Sequence, residues 1–139
     1  MNLNYGFILE STAKKIKLEL QRKFNEHEVD ITVDQWVVLF ELHQHGTQNQ
    51  VSLCEHCAKD APTITRIIEL LVKKELIVRE ACTNDRRKYN ISLSKKGKTL
   101  IQRLLPIVIE FRIQGWLNLN EKDIMHIERI TKKIQDNLS

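Results

Sequence analysis

The sequence predicts a mainly α-helical fold that carries one small β-hairpin. Only 4 Gly and 2 Pro occur in 139 residues, while 42% of residues are hydrophobic and 29% are charged, which is typical of helices with short connections. Apolar residues recur at spacings of three and four over most of the chain, but residues 77–93 show the alternation of β-strands. At this length we expect a single domain over residues 1–139.

The first two predicted helices precede a polar connection. Apolar residues spaced by three and four from Leu9 onward indicate a helix that ends near His27. A second apolar band begins after Asp34 and ends at Gly46, a residue suited to the left-handed end of a helix. The polar residues 47–50 make the connection to the next helix.

Two short helices follow, separated by a tight turn. Ser52 can cap a helix that runs to Lys59, and Asp60 can cap the next helix, whose first turn holds Pro62. The second helix has a predicted buried stripe of Ile64, Ile67, Ile68 and Leu71. This arrangement is typical of a helix-turn-helix, in which the second helix is the recognition helix.

A predicted hairpin comes directly after the recognition helix. Residues 77–83 and 89–93 are β-type runs, and residues 84–88 form a polar tip that begins with the good turn formers Asn84 and Asp85. A hairpin in this position is a wing, so the sequence predicts a winged helix-turn-helix.

Two terminal helices complete the prediction. Ser94 can cap a helix that continues towards Trp116, with Pro106 expected to kink it, and a last helix begins near Asn120. The last helix has an apolar stripe close to heptad spacing, which favours packing on another helix. Because the terminal helices carry more apolar surface than one small winged unit can cover, we expect a homodimer.

Positive charge is concentrated in the middle of the chain. Residues 52–99 hold 11 Lys and Arg against 6 Asp and Glu, whereas residues 1–51 hold 5 against 7. Clustered cations favour a nucleic-acid partner, although a merely solvated surface would show the same count. Double-stranded DNA is therefore the predicted partner.

Candidate DNA contacts lie on the recognition helix and at the hairpin tip. On the helix they are Ala61, Pro62, Thr63, Thr65 and Arg66, and at the tip they are Arg86, Arg87 and Lys88. Arginine can pair with a guanine edge or a phosphate, and cations on a narrow loop can enter a minor groove. The alternatives are ordinary solvated helix residues and an exposed charged turn.

Asp85 is unusual because a carboxylate is unfavourable beside phosphate. A structural role would explain it, namely holding an arginine guanidinium in a fixed orientation through a bidentate pair.

Cys54 and Cys57 form a C-x-x-C pair with His56 between them, which raises an alternative function as a thiol- or metal-responsive protein. No second Cys or His pair lies at a zinc-site spacing, so we expect buried, reduced thiols and no metal. Whether Cys82 has a sensing role is left open. The sequence has no glycine-rich phosphate loop, no nucleophile elbow and no close pair of acidic residues set among aromatics, so we expect neither an enzyme nor a cofactor.

The N-terminal residues lack the basic and apolar segments of an export signal, and no apolar run approaches membrane-spanning length. We therefore expect a cytoplasmic protein with no membrane contact.

The ordered motifs resemble the MarR family of bacterial winged-helix regulators. The resemblance rests on three segments: Val33-Asp34-Gln35-Trp36-Val37-Val38-Leu39, Thr63-Ile64-Thr65-Arg66-Ile67-Ile68, and Asn84-Asp85-Arg86-Arg87 followed by Ile91-Ser92-Leu93-Ser94-Lys95-Lys96-Gly97. It implies a winged helix-turn-helix over about residues 31–97, between dimerisation helices over about residues 1–28 and 98–139. It also implies a homodimeric regulator, usually a repressor, that binds a pseudo-palindromic operator and is released by an effector.

The resemblance also implies roles for individual residues. Thr63, Thr65 and Arg66 match the recognition-helix contacts of the family, Arg87 matches its wing arginine, and Asp85 matches the acidic residue that braces the wing. The chain departs from the family where Ala58-Lys59-Asp60 replaces a glycine-containing turn and where Ala61-Pro62 replaces small polar residues.

The resemblance leaves the effector unknown. The first helix has no cysteine of the peroxide-sensing kind, and residues near Tyr5, His27 and Trp36 are candidate liners of a ligand cleft that we do not assign as a site.

Overall fold

A computed structural model describes residues 4–139, except for the side chain of Arg86. Within this range the elements are α1 (Tyr5–Glu26), α2 (Val33–His45), β1 (Gln48–Asn49), α3 (Gln50–His56), α4 (Ala61–Lys73), β2 (Ile77–Cys82), β3 (Asp85–Leu93), α5 (Lys95–Gly115) and α6 (Glu121–Leu138). The predicted class, mainly α with a small hairpin, is confirmed. Residues 1–3 of the predicted first dimerisation segment lie outside the described residues.

Side-chain caps fix several helix starts. Asp60 accepts the backbone N–H of Thr63 at 2.8 Å, and Ser94 accepts that of Gly97 at 3.0 Å, so both predicted caps are confirmed. The predicted position of the end of α2 is confirmed as well, because Gly46 is its C-cap. Its φ of 76° and ψ of −160° lie outside the left-handed helical conformation that was expected there. The predicted cap Ser52 is wrong, since Asn49 caps α3 by accepting the backbone N–H of Ser52 at 2.9 Å.

The sheet has three antiparallel strands in the order β1-β3-β2. The polar connection predicted at residues 47–50 contains a short strand that the sequence did not predict, because Gln48 pairs with Ile91 and Asn49 pairs with Asn90. This pairing satisfies backbone groups on the free edge of β3. It also ties the helix-turn-helix to the hairpin, because α3 begins immediately after β1.

The core lies between the winged unit and the adjoining halves of α1 and α5. The predicted stripe of α4 is confirmed, because Ile64, Ile67, Ile68 and Leu71 are all buried. The largest fully buried side chains include Phe24, Leu39, Leu53, Ile91, Ile101 and Leu104. Burial of this kind contributes about 2 kcal/mol per large side chain and is the main stabilisation of the fold.

The start of α5 packs closely on the chain that enters β2. Ser94 Oγ donates to the carbonyl of Glu75 at 2.6 Å, and the Ser94 N–H donates to the carbonyl of Leu76 at 3.1 Å. A Cβ atom placed on Gly97 would overlap the backbone carbonyl oxygen of Leu76. Glycine at this position is therefore required by the close approach of helix and strand.

The terminal helices leave apolar surface uncovered in the single chain. No residue of α6 is buried, and Ile127 and Ile130 are each 45% exposed. Phe7 in α1 and Ile113 in α5 are also largely exposed. The excess of apolar surface expected from the sequence is therefore present at both ends of the chain. Among residues 4–139, no helix combines the length and apolar character that a membrane span requires.

Candidate nucleic-acid interface

The recognition helix α4 is strongly amphipathic. Opposite its buried stripe, Ala61, Pro62 and Arg66 are exposed or half-buried, as are Thr63 and Thr65. The five residues predicted to contact DNA therefore lie on the accessible side of one helix, at its N-terminal end. An amphipathic helix of this kind can enter a major groove without disturbing the core.

The cap of α4 lies beside two of the candidate DNA contacts. Hydrogen bonds from the side chain and the backbone of Thr63 lower the pKa of Asp60 below its ordinary value, and the nearby charges of Arg66 and Lys59 lower it further. The cap therefore uses the backbone N–H of Thr63, and the exposed guanidinium of Arg66 adds positive charge at the same end of the helix.

The turn before α4 is held by a carboxylate of α2. Asp34 Oδ1 accepts from Lys59 Nζ at 2.8 Å, and Asp34 Oδ2 accepts from Lys17 Nζ of α1 at 2.9 Å. Burial raises the pKa of Asp34, but the hydrogen bonds and charges of the two lysines outweigh this effect and leave the pKa below its ordinary value. Ala58 in this turn has a φ of 50°, in the left-handed region that favours glycine.

A contact that sequence reasoning missed joins the two helices of the helix-turn-helix. Gln50, the first residue of α3, donates from Nε2 to Thr65 Oγ1 at 2.5 Å, and both residues are half-buried. The partners are 15 residues apart in sequence, and no local pattern marks Gln50 as a partner of the recognition helix.

The wing differs in detail from the predicted five-residue tip. Thr83 and Asn84 form the turn, Cys82 pairs with Asp85, and the next pair is Ala81 with Tyr89. Residues 86–88 consequently have no partners on β2 and form a bulge in β3.

The bulge holds the three predicted wing cations. Arg87 and Lys88 are exposed, and the predicted contact by Arg86 lies outside the described side chains. An exposed cationic bulge on a narrow hairpin has the shape and charge to approach a DNA backbone or minor groove.

Asp85 braces the bulge through the backbone. Its Oδ1 accepts the backbone N–H of Arg87 at 2.9 Å. Within the described side chains, Asp85 forms no ion pair with the Arg87 guanidinium, which differs from the predicted bidentate pair. The guanidinium of Arg87 remains available while its backbone is fixed.

The wing also contains a cation that the prediction omitted. The Arg79 guanidinium lies over the ring of Tyr89, 5.0 Å from its centroid, and joins β2 to β3 at the base of the bulge.

Cys54 and Cys57 are free thiols that are not joined by a disulfide bond. Cys54 is half-buried and Cys57 is buried. Burial, with a smaller contribution from Glu41, raises the pKa of the Cys57 thiol to about 11, so its nucleophilic thiolate form is scarce at neutral pH. Among residues 4–139, no group of three or more His, Cys, Asp and Glu side chains is arranged to hold a metal ion.

A cleft of about 730 Å³ lies between α1, α2 and α5. Its walls include Trp36, Phe111 and Trp116, with Lys15 and Arg112 among the charged residues. Of the three candidate liners, Trp36 lines this cleft, but Tyr5 and His27 do not.

Comparison with protein families gives a match between residues 31–89 and the sequence model of the MarR family. The matched segment extends from the residues before α2 into β3, and so contains the helix-turn-helix and most of the wing.

Solved structures match nearly the whole chain. BpsR of Bordetella bronchiseptica, whose DNA binding is regulated by 6-hydroxynicotinic acid, is 22% identical, with 98% of this chain and 97% of that chain covered and a TM-score of 0.85. MepR of S. aureus, solved in complex with DNA, is also 22% identical, with coverages of 98% and 99% and a TM-score of 0.85. A protein of unknown function from Listeria innocua is 32% identical, with coverages of 96% and 92% and a TM-score of 0.70.

Proposed function

The chain belongs to the MarR family of DNA-binding transcriptional regulators, and on that premise we propose that it is a homodimeric repressor of a pseudo-palindromic operator. The observation that carries the proposal is the exposed bulge with Arg87 and Lys88, held by Asp85 on the hairpin that follows a capped recognition helix. The crystal structure of MepR, which has the same fold, contains bound DNA, and this supports the proposal that the present chain binds DNA.

Uncovered apolar surface supports the homodimer. The stripe of α6 contains no buried residue, and exposed apolar residues of α1 and α5 extend this surface. Two copies related by a twofold axis would cover it and would present two recognition helices to two half-sites. The repressor would then occupy a palindrome and block access to it.

Selection of bound duplexes from a random pool tests the function. We expect a palindrome with half-sites about one helical turn apart. Gel-shift titrations should then show weaker binding by Arg66→Ala and Arg87→Ala, with the slope of log affinity against log salt shallower by about one for each phosphate that is no longer neutralised. Lys14→Ala removes an exposed cation of α1 and is the matched control. Unchanged operator affinity in both arginine variants would refute the assigned interface.

Sedimentation tests the dimer. Ile127→Lys places a charge in the apolar stripe of α6 and should shift the protein from dimer to monomer and weaken operator binding by at least about tenfold. Lys132→Ala, on an exposed residue of the same helix, is the control. A wild-type protein that sediments as a monomer at all concentrations would refute the dimer.

We further propose that an effector enters the cleft between α1, α2 and α5, where it would contact both the terminal helices and the winged unit. Because both tryptophans of the chain line this cleft, an entering ligand should change tryptophan fluorescence. 6-Hydroxynicotinic acid, the regulator of BpsR, is the first probe. A fluorescence change that is smaller in Trp36→Phe, where only Trp116 remains to report, together with release of operator DNA, would support the site. Release without any fluorescence change would place the effector elsewhere.

A further inference from the structure

We propose that Gln50 is a specificity-determining residue, and that Gln50 and Thr65 read one base pair together from the two helices of the helix-turn-helix. This inference rests on the proposed DNA-binding function and adds a residue outside the recognition helix to the interface. The contact that carries it is the hydrogen bond of 2.5 Å from Gln50 Nε2 to Thr65 Oγ1.

The hydrogen-bonding capacity of the two side chains shows which donors and acceptors remain free to bind DNA. A threonine hydroxyl can donate one hydrogen bond and accept two, and a primary amide can donate two and accept through its oxygen. The observed bond uses one amide N–H and one acceptor site of Thr65. In the described part of the chain, the second N–H and Oε1 of Gln50 and the hydroxyl hydrogen of Thr65 make no further hydrogen bond.

These free groups match a base edge. A glutamine amide with an adjacent free donor and acceptor is complementary to N7 and N6 of adenine in the major groove. The free hydroxyl of Thr65 can donate to a phosphate or to a neighbouring base acceptor. The pair therefore fits an adenine in each half-site.

The backbone of Gln50 is fixed from both sides, which gives its side chain a defined direction. Gln48 and Asn49 pair with β3 immediately before it, and the Asn49 cap holds the first turn of α3 immediately after it. Thr65 restrains the far end of the Gln50 side chain. A side chain that is held in this way loses little conformational entropy when it contacts a base.

The neighbours of the pair place it at the accessible side of the helix-turn-helix. Val51, next to Gln50, is 67% exposed, and Pro62, one turn before Thr65 on α4, is exposed. In a helix-turn-helix the first helix crosses the DNA backbone and the second lies in the major groove. A side chain of α3 that is hydrogen-bonded to the accessible side of α4 is therefore placed to reach the groove.

Selection from a random duplex pool, performed with wild type and variants, tests the inference. Gln50→Ala should remove the preference for adenine at one position in each half-site, reduce affinity for the wild-type operator about tenfold, and leave the other positions unchanged. Gln50→Glu keeps the size but replaces the donor by an acceptor, so the preference at that position should move from adenine towards cytosine, whose N4 amine is a donor. Gln44→Ala, on an exposed residue of α2, is the control and should change nothing.

The salt dependence separates base reading from phosphate binding. Because Gln50 carries no charge, Gln50→Ala should leave the slope of log affinity against log salt at its wild-type value. A Gln50→Ala variant that selects the wild-type half-site at every position, or that weakens binding equally on all sequences, would overturn the inference and leave the DNA-binding function standing. A wild-type protein that selects no duplex at all would overturn both.

Discussion

The Asp34 carboxylate accepts a hydrogen bond from the Lys59 ammonium at 2.8 Å and thereby joins the first turn of α2 to the turn that precedes the recognition helix. Its second oxygen accepts from Lys17 of α1 at 2.9 Å. One side chain therefore connects a terminal helix, the second helix and the turn of the helix-turn-helix. Since Lys59 directly precedes the α4 cap Asp60, this contact helps to set where α4 begins.

We predict that Asp34→Asn lowers the free energy of unfolding by about 1 kcal/mol at pH 7, because it removes a half-buried charge partner of two lysines. The folded-state pKa of Asp34 is lowered, so its contribution is complete above the unfolded-state pKa of about 4 and disappears as pH falls through the lowered folded-state value. The difference between the two proteins should therefore shrink at pH 3.

Urea unfolding at pH 7 and pH 3, at one protein concentration, measures this difference. Asp30→Asn is the control, because the Asp30 side chain is fully exposed and its nearest lysine nitrogen is 3.7 Å away. A difference of equal size at both pH values would show that the charge of Asp34 is not its cause.

We predict that Asp85→Ala weakens operator binding several-fold, whereas Asp85→Asn retains wild-type affinity or exceeds it. The reason is that Asp85 accepts the backbone N–H of Arg87, a role that an asparagine oxygen can fill without the negative charge near phosphate. Gel-shift titrations of both variants measure the effect. If Asp85→Asn binds as weakly as Asp85→Ala, the brace depends on the charge and acts on a guanidinium.

We predict that Cys57 is the slowest of the three cysteines to react with iodoacetamide in the folded protein at pH 8, because its thiol is buried and has a pKa of about 11. Peptide mass spectrometry can follow Cys54, Cys57 and Cys82 separately. In urea the three thiols should react at similar rates. Equal rates in the folded protein would revive the alternative of a thiol sensor.

We predict that Gly97→Ala lowers the free energy of unfolding by about 2 kcal/mol, because the added Cβ would meet the backbone carbonyl of Leu76. Gly115→Ala is the matched control, since a Cβ there meets nothing within 4 Å in the single chain and alanine favours the helix. Thermal or urea unfolding measures both variants. Equal stability of Gly97→Ala and wild type would mean that the start of α5 can move away from β2.

Local chemistry made much of the fold predictable. The caps Asp60 and Ser94 and the end at Gly46 depend on hydrogen bonds or backbone angles within a few residues, and the buried stripe of α4 follows from helical spacing. Ser52 was a plausible cap by the same rules. Asn49 takes that role because its pairing with Asn90 begins the helix three residues earlier.

Long-range contacts explain what the sequence did not predict. The two-residue strand β1 is too short to leave a pattern, and it exists because β3 offers a free edge. The bond between Gln50 and Thr65 depends on the packing of α3 against α4. In the wing, the cations were predicted, but the bulge depends on the register between β2 and β3, which composition does not determine.

Two segments of the chain differ in how well they can tolerate an insertion or a deletion. Between Gly46 and Gln50, one residue more or less would shift both the pairing of Gln48 with Ile91 and the Asn49 cap of α3. Residues 86–88, by contrast, have no partners on β2, so an insertion after Arg87 leaves the flanking pairs in register and keeps the hydrogen bond from the Arg87 N–H to Asp85. Insertions among descendants of this sequence should therefore accumulate in the wing. The distance over which the wing extends towards DNA can then change without disturbing the recognition helix.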